Sequence, residues 1–410
     1  MEGSQPRTAQ LRALRAERRA ASAARGPVGE SRAPGRTGAG AAAGLFICSL
    51  LGFISVGAAL PALSPYVRGP LHSGDLAAGV VVGSFAATSV FCRPVAGRFA
   101  DRRGRRAVLV GGALTMALGG LLYLLAGSVA TLLLARLVAG AGEGAFYTAG
   151  ATWTVDLAPP HRRGQALGLF GLAVWGGLAL GPVAGELLRS WSGYQAVWAC
   201  TAVLPLLGAA IAVRLPEPAR PPRPQGRGGA WLPRAVRRPG TAIALANVGY
   251  AALAGFVILD LDAQGIGGGA SVFTAFAVAV FASRLALNRI PDRVGARVTG
   301  TIAGLVEAAG LVIIALAGSL GAAIAGAVVV GVGFSLLFPS LALMVVRSTD
   351  EGERGSAMGA FSAFFDIGVG LGAPLAGLAA SLAGYPSVFY MSAAAALGTA
   401  WIAATTTHPA

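Results

Sequence analysis

Apolar stretches of near 20 residues recur along almost the whole chain. They fall near 41–66, 76–96, 107–126, 129–157, 166–187 and 196–214, then near 241–262, 270–287, 298–317, 321–346, 356–380 and 387–405. A helix of that length covers the ~30 Å of hydrocarbon in a bilayer. Hydrocarbon offers no partner to backbone N–H and C=O groups, so each spanning segment must satisfy its own hydrogen bonds as an α-helix. The expected fold class is all-α integral membrane, with twelve transmembrane helices in two sets of six. Charge agrees, because only 12% of the residues are charged, against about 25% in a soluble domain. Sixty-one glycines suit membrane helices, whose backbones approach closely where side chains are small.

The segments outside the spans set the domain plan. Residues 1–40 hold eight arginines against three acids, a composition that buries no core and reads as a disordered basic tail. Within it, TAQLRALRAERRAA has the pattern of a short basic amphipathic helix for an anionic membrane surface. The first apolar run lies too far from the start for a signal peptide. Residues 216–239 hold seven prolines and six arginines without an apolar period, which marks a linker. The expected domains are a tail over 1–40, an N-terminal six-helix bundle over 41–215, a cytoplasmic linker over 216–239 and a C-terminal six-helix bundle over 240–407.

A net charge of +15 would suit a polyanion if it formed one soluble face. It does not. There is no lysine, and 29 of the 32 basic residues collect in the tail and the even-numbered loops with their helix ends. Arg68 and Arg189 fall on the other side, and Arg136 lies inside a span. By the positive-inside rule both termini are cytoplasmic, and the charge is a topology signal, not a nucleic-acid site. The expected location is the cell membrane (plasma or inner), multi-pass. Cys48, Cys92 and Cys200, like His72, His161 and His408, are too scattered for a metal or redox site. No G-x4-G-K-[ST] loop occurs, so ATP hydrolysis is not the engine. The chain reads as no enzyme, with no cofactor.

The two sets of helices are copies. At a constant offset of 191 residues, Arg93 pairs with Arg284, Arg98 with Arg289, Asp101 with Asp292, Gly104 with Gly295 and Arg106 with Arg297. The same register matches Gly140 with Gly331, Gly142 with Gly333, Arg163-Gly164 with Arg354-Gly355, Gly168 with Gly359, Gly177 with Gly368, Gly181 with Gly372 and Gly193-Tyr194 with Gly384-Tyr385. Six spans per copy make the repeats parallel. Transporters built this way hold their substrate at the repeat interface near the midplane.

GRFADRRGRRAVL at 97–109 resembles the signature G-x-L-a-D-r-x-G-r-[RK]-x-x-l between the second and third helices of major facilitator superfamily transporters. Gly97, Asp101, Arg102, Gly104, Arg105, Arg106 and Leu109 match it, with Phe99 in place of the usual Leu. RLVAGAGEGA at 136–145 looks like the family's fourth-helix motif. Gly168, Gly177, Gly181, Pro182 and Gly185 reproduce G-x8-G-x3-G-P-x2-G of the fifth helix, similar to the motif associated with drug:proton antiporters, although Glu186 replaces its final Gly. The resemblance covers 41–405 and implies two parallel six-helix repeats working by alternating access. It also implies a gate: Asp101 against the start of the eleventh helix near Gly355-Ser356 when the cytoplasmic side is closed. Arg105 is implied to pair with Asp156. By the repeat, Asp292 and Gly295 form the second half of that gate near Gly164, weaker because Ala296 and Arg347 replace Arg105 and Asp156.

An ionisable residue inside a span is a functional candidate by default. Arg136 and Glu143 are seven apart, on one helix face and ~10 Å apart along the axis. They serve either as a structural bridge or as part of the proton and substrate path. Asp366 lies near the midplane of the eleventh helix, and its repeat counterpart is Trp175. Glu307 is a weaker candidate, because the ninth helix is peripheral in the family fold. Glu143 is the first choice for the protonated group, Asp366 the second, with Arg136 modulating. The expected function is proton-coupled efflux of a small amphipathic or apolar compound (a drug or secondary metabolite) by a monomer in the lipid bilayer, driven by the proton gradient. The alternatives are a superfamily importer or exporter of a sugar, organic acid or siderophore-like solute, and a non-transporting membrane sensor or scaffold.

Overall fold

The computed structural model describes residues 36–159, 162–217, 233–287, 289–350 and 354–406, with the side chains of 36–39 and 354–356 left out. Most of the tail read over 1–40 and of the linker read over 216–239 lies outside these residues. The helices are α1 Arg36–Arg68, α2 Asp75–Arg103, α3 Arg105–Leu124 and α4 Val129–Leu157. A helical stretch Arg163–Arg214 follows, broken at Gly193 by φ 73° and ψ −167°. Its arms are α5 (163–192) and α6 (194–214). The second set is α7 Arg234–Ala263, α8 Gly269–Leu287 with a single turn Ile290–Val294 after it, α9 Ala296–Ala315, α10 Leu320–Arg347, α11 Arg354–Ala383 and α12 Tyr385–Thr405. Among the described residues eleven helical stretches are long and apolar enough to cross a membrane. Divided at Gly193, they make twelve spans.

The repeat is visible in the backbone itself. Gly384, the counterpart of Gly193, turns α11 into α12 with φ 78° and ψ 170°, a conformation that glycine adopts without steric cost. Gly104 and Gly295 take φ 102° and 101° before α3 and α9. Ser128 and Ser319, also 191 apart, both cap a helix, accepting the backbone N–H of Thr131 at 3.2 Å and of Ala322 at 3.3 Å. Such caps satisfy donors that the first helical turn leaves unpaired.

The fifth-helix glycines form a seam against α1. A Cβ on Gly177 would sit 2.6 Å from Phe53 Cβ, and one on Gly181 would sit 2.6 Å from Gly57 Cα. Gly185 meets the Ala58 carbonyl just as closely. The seam recurs between α11 and α7: Gly368 faces Ala244, and Gly372 faces Val248, whose Cα a Cβ would approach to 3.0 Å. At the offset of 191, Gly177–Phe53 matches Gly368–Ala244 and Gly181–Gly57 matches Gly372–Val248.

The two halves meet on the side away from the arginine-rich loops. There α2 lies against α11, with Gly79 on Ala373 and Gly83 on Gly370 and Pro374. Tyr385 donates its hydroxyl to Asp75 at 3.0 Å, and Arg68 pairs with Asp75 at 3.2 Å. At the other end, a Cβ at Gly164, Gly168 or Gly171 in the first turns of α5 would meet nothing within 4 Å among the described residues. Among the described residues no ion pair involves Asp292, expected near Gly164, and a Cβ on Gly295 would meet nothing within 4 Å. The matching expectation for Asp101 near Gly355-Ser356 falls on side chains outside the described ones. One boundary differs: α7 begins at Arg234, inside the stretch read as linker. Arginines are good helix formers and extend the helix beyond its apolar part, while Pro239 interrupts only its opening turns.

Candidate proton and substrate site

Arg136, 2% exposed, uses its guanidinium to tie α4 to α2. Nε donates to the Val81 carbonyl at 3.1 Å and Nη2 to that of Val82 at 2.7 Å. Nη1 reaches the Tyr123 hydroxyl at 3.4 Å, and the group lies 4.5 Å from the centre of the Phe85 ring. Beside it is a cavity of about 10 Å³ lined by Ser55, Tyr123 and Thr201 among others, room for roughly one water. Arg136 and Glu143 share a face of α4, yet each has its own partners.

Glu143, 4% exposed, stands midway along α4 and accepts the Ser89 hydroxyl at 2.7 Å. Arg93 of α2 places Nη2 3.5 Å from both Glu143 oxygens. The same guanidinium crosses to the other half, with Nε 2.7 Å from Asp366 Oδ2 and Nη2 3.2 Å from Oδ1. Asp366 is 6% exposed. Tyr147 supplies a ring face 4.4 Å from the guanidinium. One arginine thus holds two buried carboxylates, one from each half, where the halves meet. In so dry a place each carboxylate depends on that cation, because desolvation makes a lone charge costly.

Next to this triad is an aromatic wall. Trp175 of α5 contacts Phe334 at 5.6 Å and Phe365 and Tyr250 at 6.5 Å between ring centres, nearly edge-on. Tyr250 stacks on Phe334 at 5.8 Å. Such edge-to-face and offset arrangements are those aromatic quadrupoles favour. Phe146, Trp153 and Phe361 are instead fully buried packing residues.

Glu307 is placed elsewhere. It is 0% exposed, packed inside the second half between Gly249 of α7 and Gly333 of α10. Neither of its oxygens has a hydrogen-bond partner among the described residues. Its counterpart by the repeat is Met116, which occupies the same position against Gly142. Leaving a buried polar group unsatisfied costs about 1–3 kcal/mol. Glu307→Met is accordingly expected to raise the melting temperature of the purified protein while leaving transport intact. A fall in transport without loss of folded protein would instead put Glu307 in the proton path.

At the cytoplasmic end Arg105 joins three segments. Its Nη1 meets Asp101 Oδ1 at 2.7 Å and its Nε meets Asp156 Oδ2 at 3.0 Å. Glu217, just after α6, accepts the backbone N–H groups of Arg105 and Arg106, where a helix N-terminus favours a carboxylate. Arg106 Nη2 returns a bond to the Leu215 carbonyl at 2.7 Å. Gly97 approaches Thr148 of α4. The start of α3 is therefore clamped to α2, α4 and the end of α6.

Sequence reasoning missed Arg93 and Glu217. Arg93 falls within the stretch 76–96, where the rule for ionisable residues in spans applies; counting it among loop arginines hides it. Glu217 lies among linker prolines and carries no motif.

Comparison with known proteins agrees with this architecture. The Major Facilitator Superfamily profile matches residues 45–269 and 243–409. An uncharacterized MFS-type transporter of Salmonella typhimurium, STM4428, is 35% identical over 358 residues, covering 85% of this chain and 91% of that protein. The uncharacterized MFS-type transporter YhhS of Escherichia coli K12 is 31% identical over 354 residues, covering 83% and 86%. Among solved structures, the nucleoside transporter NupG shares the fold with a TM-score of 0.74 at 15% identity, covering 88% of this chain and 98% of its own. The human organic anion transporter MFSD10 does so at 0.68 and 18%, covering 89% and 99%. The chain belongs to the major facilitator superfamily, and is a multi-pass membrane transporter.

Proposed function

We propose that the protein couples proton entry to export of a small amphipathic or apolar compound across the cell's plasma or inner membrane. The observation that carries this is the triad. Two buried carboxylates, Glu143 and Asp366, share the single guanidinium of Arg93 across the junction of the halves. Ionised together, they carry one negative charge more than Arg93 supplies, and a proton neutralises that excess. Separating the halves on the outer side pulls Asp366 away from Arg93 and Glu143, so the facing state and the protonation state are linked. The aromatic wall at Trp175, Phe334 and Phe365 offers the kind of surface that binds an apolar body. The α5–α1 glycine seam, with its antiporter-like spacing, supports export as the direction.

The test uses inverted membrane vesicles holding a pH gradient and a panel of amphipathic compounds. Wild-type vesicles are expected to lose the gradient when a transported compound is added, and Glu143→Gln vesicles to keep it. Transport that leaves the gradient untouched would refute proton exchange.

A further inference from the structure

Arg284 of α8 is the repeat counterpart of Arg93, and it makes the same crossing. Arg93 reaches from α2 to position 366 on α11; Arg284 reaches from α8 to position 175 on α5, 191 residues earlier. Its guanidinium lies 4.6 Å from the centre of the Trp175 ring. What differs is the set of acceptors. Arg93 is served by Ser89, Glu143 and Asp366. The residues at the corresponding places around Arg284 are Val280, Phe334 and Trp175. The arginine is kept and every acceptor is gone.

No carboxylate pairs with Arg284 among the described residues, and its buried Nε has no acceptor. A guanidinium is planar, permanently charged and presents its donors in a fork that matches a carboxylate. Stacked on an indole, it keeps that fork edge free for something else. The rings next to Trp175 are Phe334, Phe365 and Tyr250, an apolar bed beside a single cation.

We propose that Arg284 receives the acidic group of the transported compound, which is a small organic anion whose apolar body lies on the Trp175, Phe334 and Phe365 rings. The cargo supplies the carboxylate that the second half lacks. This rests on the transporter reading and narrows its substrate class from amphipathic compounds in general to organic acids.

The experiment is calorimetric titration of the purified full-length protein with benzoate, 1-naphthoate and octanoate, each beside its uncharged amide. At least one acid is expected to bind about tenfold or more tightly than its amide, as a charge-assisted bond to a desolvated arginine requires. Arg284→Gln should erase that preference, and Arg284→Lys should keep part of it. Trp175→Asp provides an independent check with the arginine retained, because the new carboxylate should occupy Arg284 and remove the preference too. Acids that bind no tighter than their amides, or a preference that survives both Arg284→Gln and Trp175→Asp, would overturn the proposal. The vesicle assay reads separately. Acid binding through Arg284 without proton movement leaves this site standing and removes proton exchange; proton exchange of neutral compounds, indifferent to Arg284→Gln, does the reverse.

Discussion

Arg93→Gln is expected to abolish transport and to destabilise the purified protein by about 3–5 kcal/mol, the cost of leaving buried charges without their partner. The reason is arithmetic at one atom group. Arg93 is the cation for Glu143 and Asp366 alike, so its loss strips two carboxylates at once. Glu143 retains the Ser89 hydroxyl, whereas among the described residues the polar side-chain contacts of Asp366 are to Arg93. The double variant Arg93→Gln with Asp366→Asn is therefore expected to regain most of the lost stability, since removing both members of a buried pair is far milder than removing one. Transport should remain absent in the double variant, because the link between the halves has been deleted rather than repaired. Thermal unfolding in detergent reads the first effect, and the vesicle assay the second. An Arg93→Gln protein that melts with the wild type would mean the triad contributes no stability to this state.

The spans were legible because the bilayer imposes length and composition on each segment separately. Between the spans read at 166–187 and 196–214, Gly193 matches Gly384; that both glycines turn the chain with positive φ shows only in the backbone. Glu143 and Asp366 stood out as acids inside apolar runs. Their meeting on one arginine did not, because the Arg93–Asp366 contact joins residues 273 apart in sequence, and only the packing of the halves brings them together. Arg136, read as either a structural bridge to neighbouring helices or part of the path, ties α4 to α2 through the backbone carbonyls of Val81 and Val82. Glu217 was hidden by composition, since prolines and arginines around it mark a linker and conceal a helix cap. Local rules located the charges; which of them became partners was decided by how the helices cross.

Gly181→Ala is the second change with a large expected effect, although it adds a single methyl group. That methyl would lie 2.6 Å from Gly57 Cα and from the adjoining carbonyl carbon. Both are backbone atoms, so no rotamer change relieves the clash, and α5 must move away from α1. Overpacking of this kind costs about 1–3 kcal/mol, and here it also opens the contacts at Gly177 and Gly185 along the same seam. The effect should be graded by geometry. Gly372→Ala, at the equivalent seam in the second half, approaches Val248 Cα only to 3.0 Å and should be milder. Gly168→Ala meets nothing within 4 Å and should be neutral or slightly stabilising, because alanine favours the helix over glycine by roughly 1 kcal/mol. Melting temperatures of the three purified variants rank them directly. If α5 rocks on α1 during the transport cycle, Gly181→Ala would also slow transport more than its loss of folded protein explains. If the seam is a fixed joint inside the N-terminal half, transport per folded molecule would stay at the wild-type rate. The close backbone contact favours the fixed joint, so the expected result is a large loss of stability with the turnover of surviving protein unchanged.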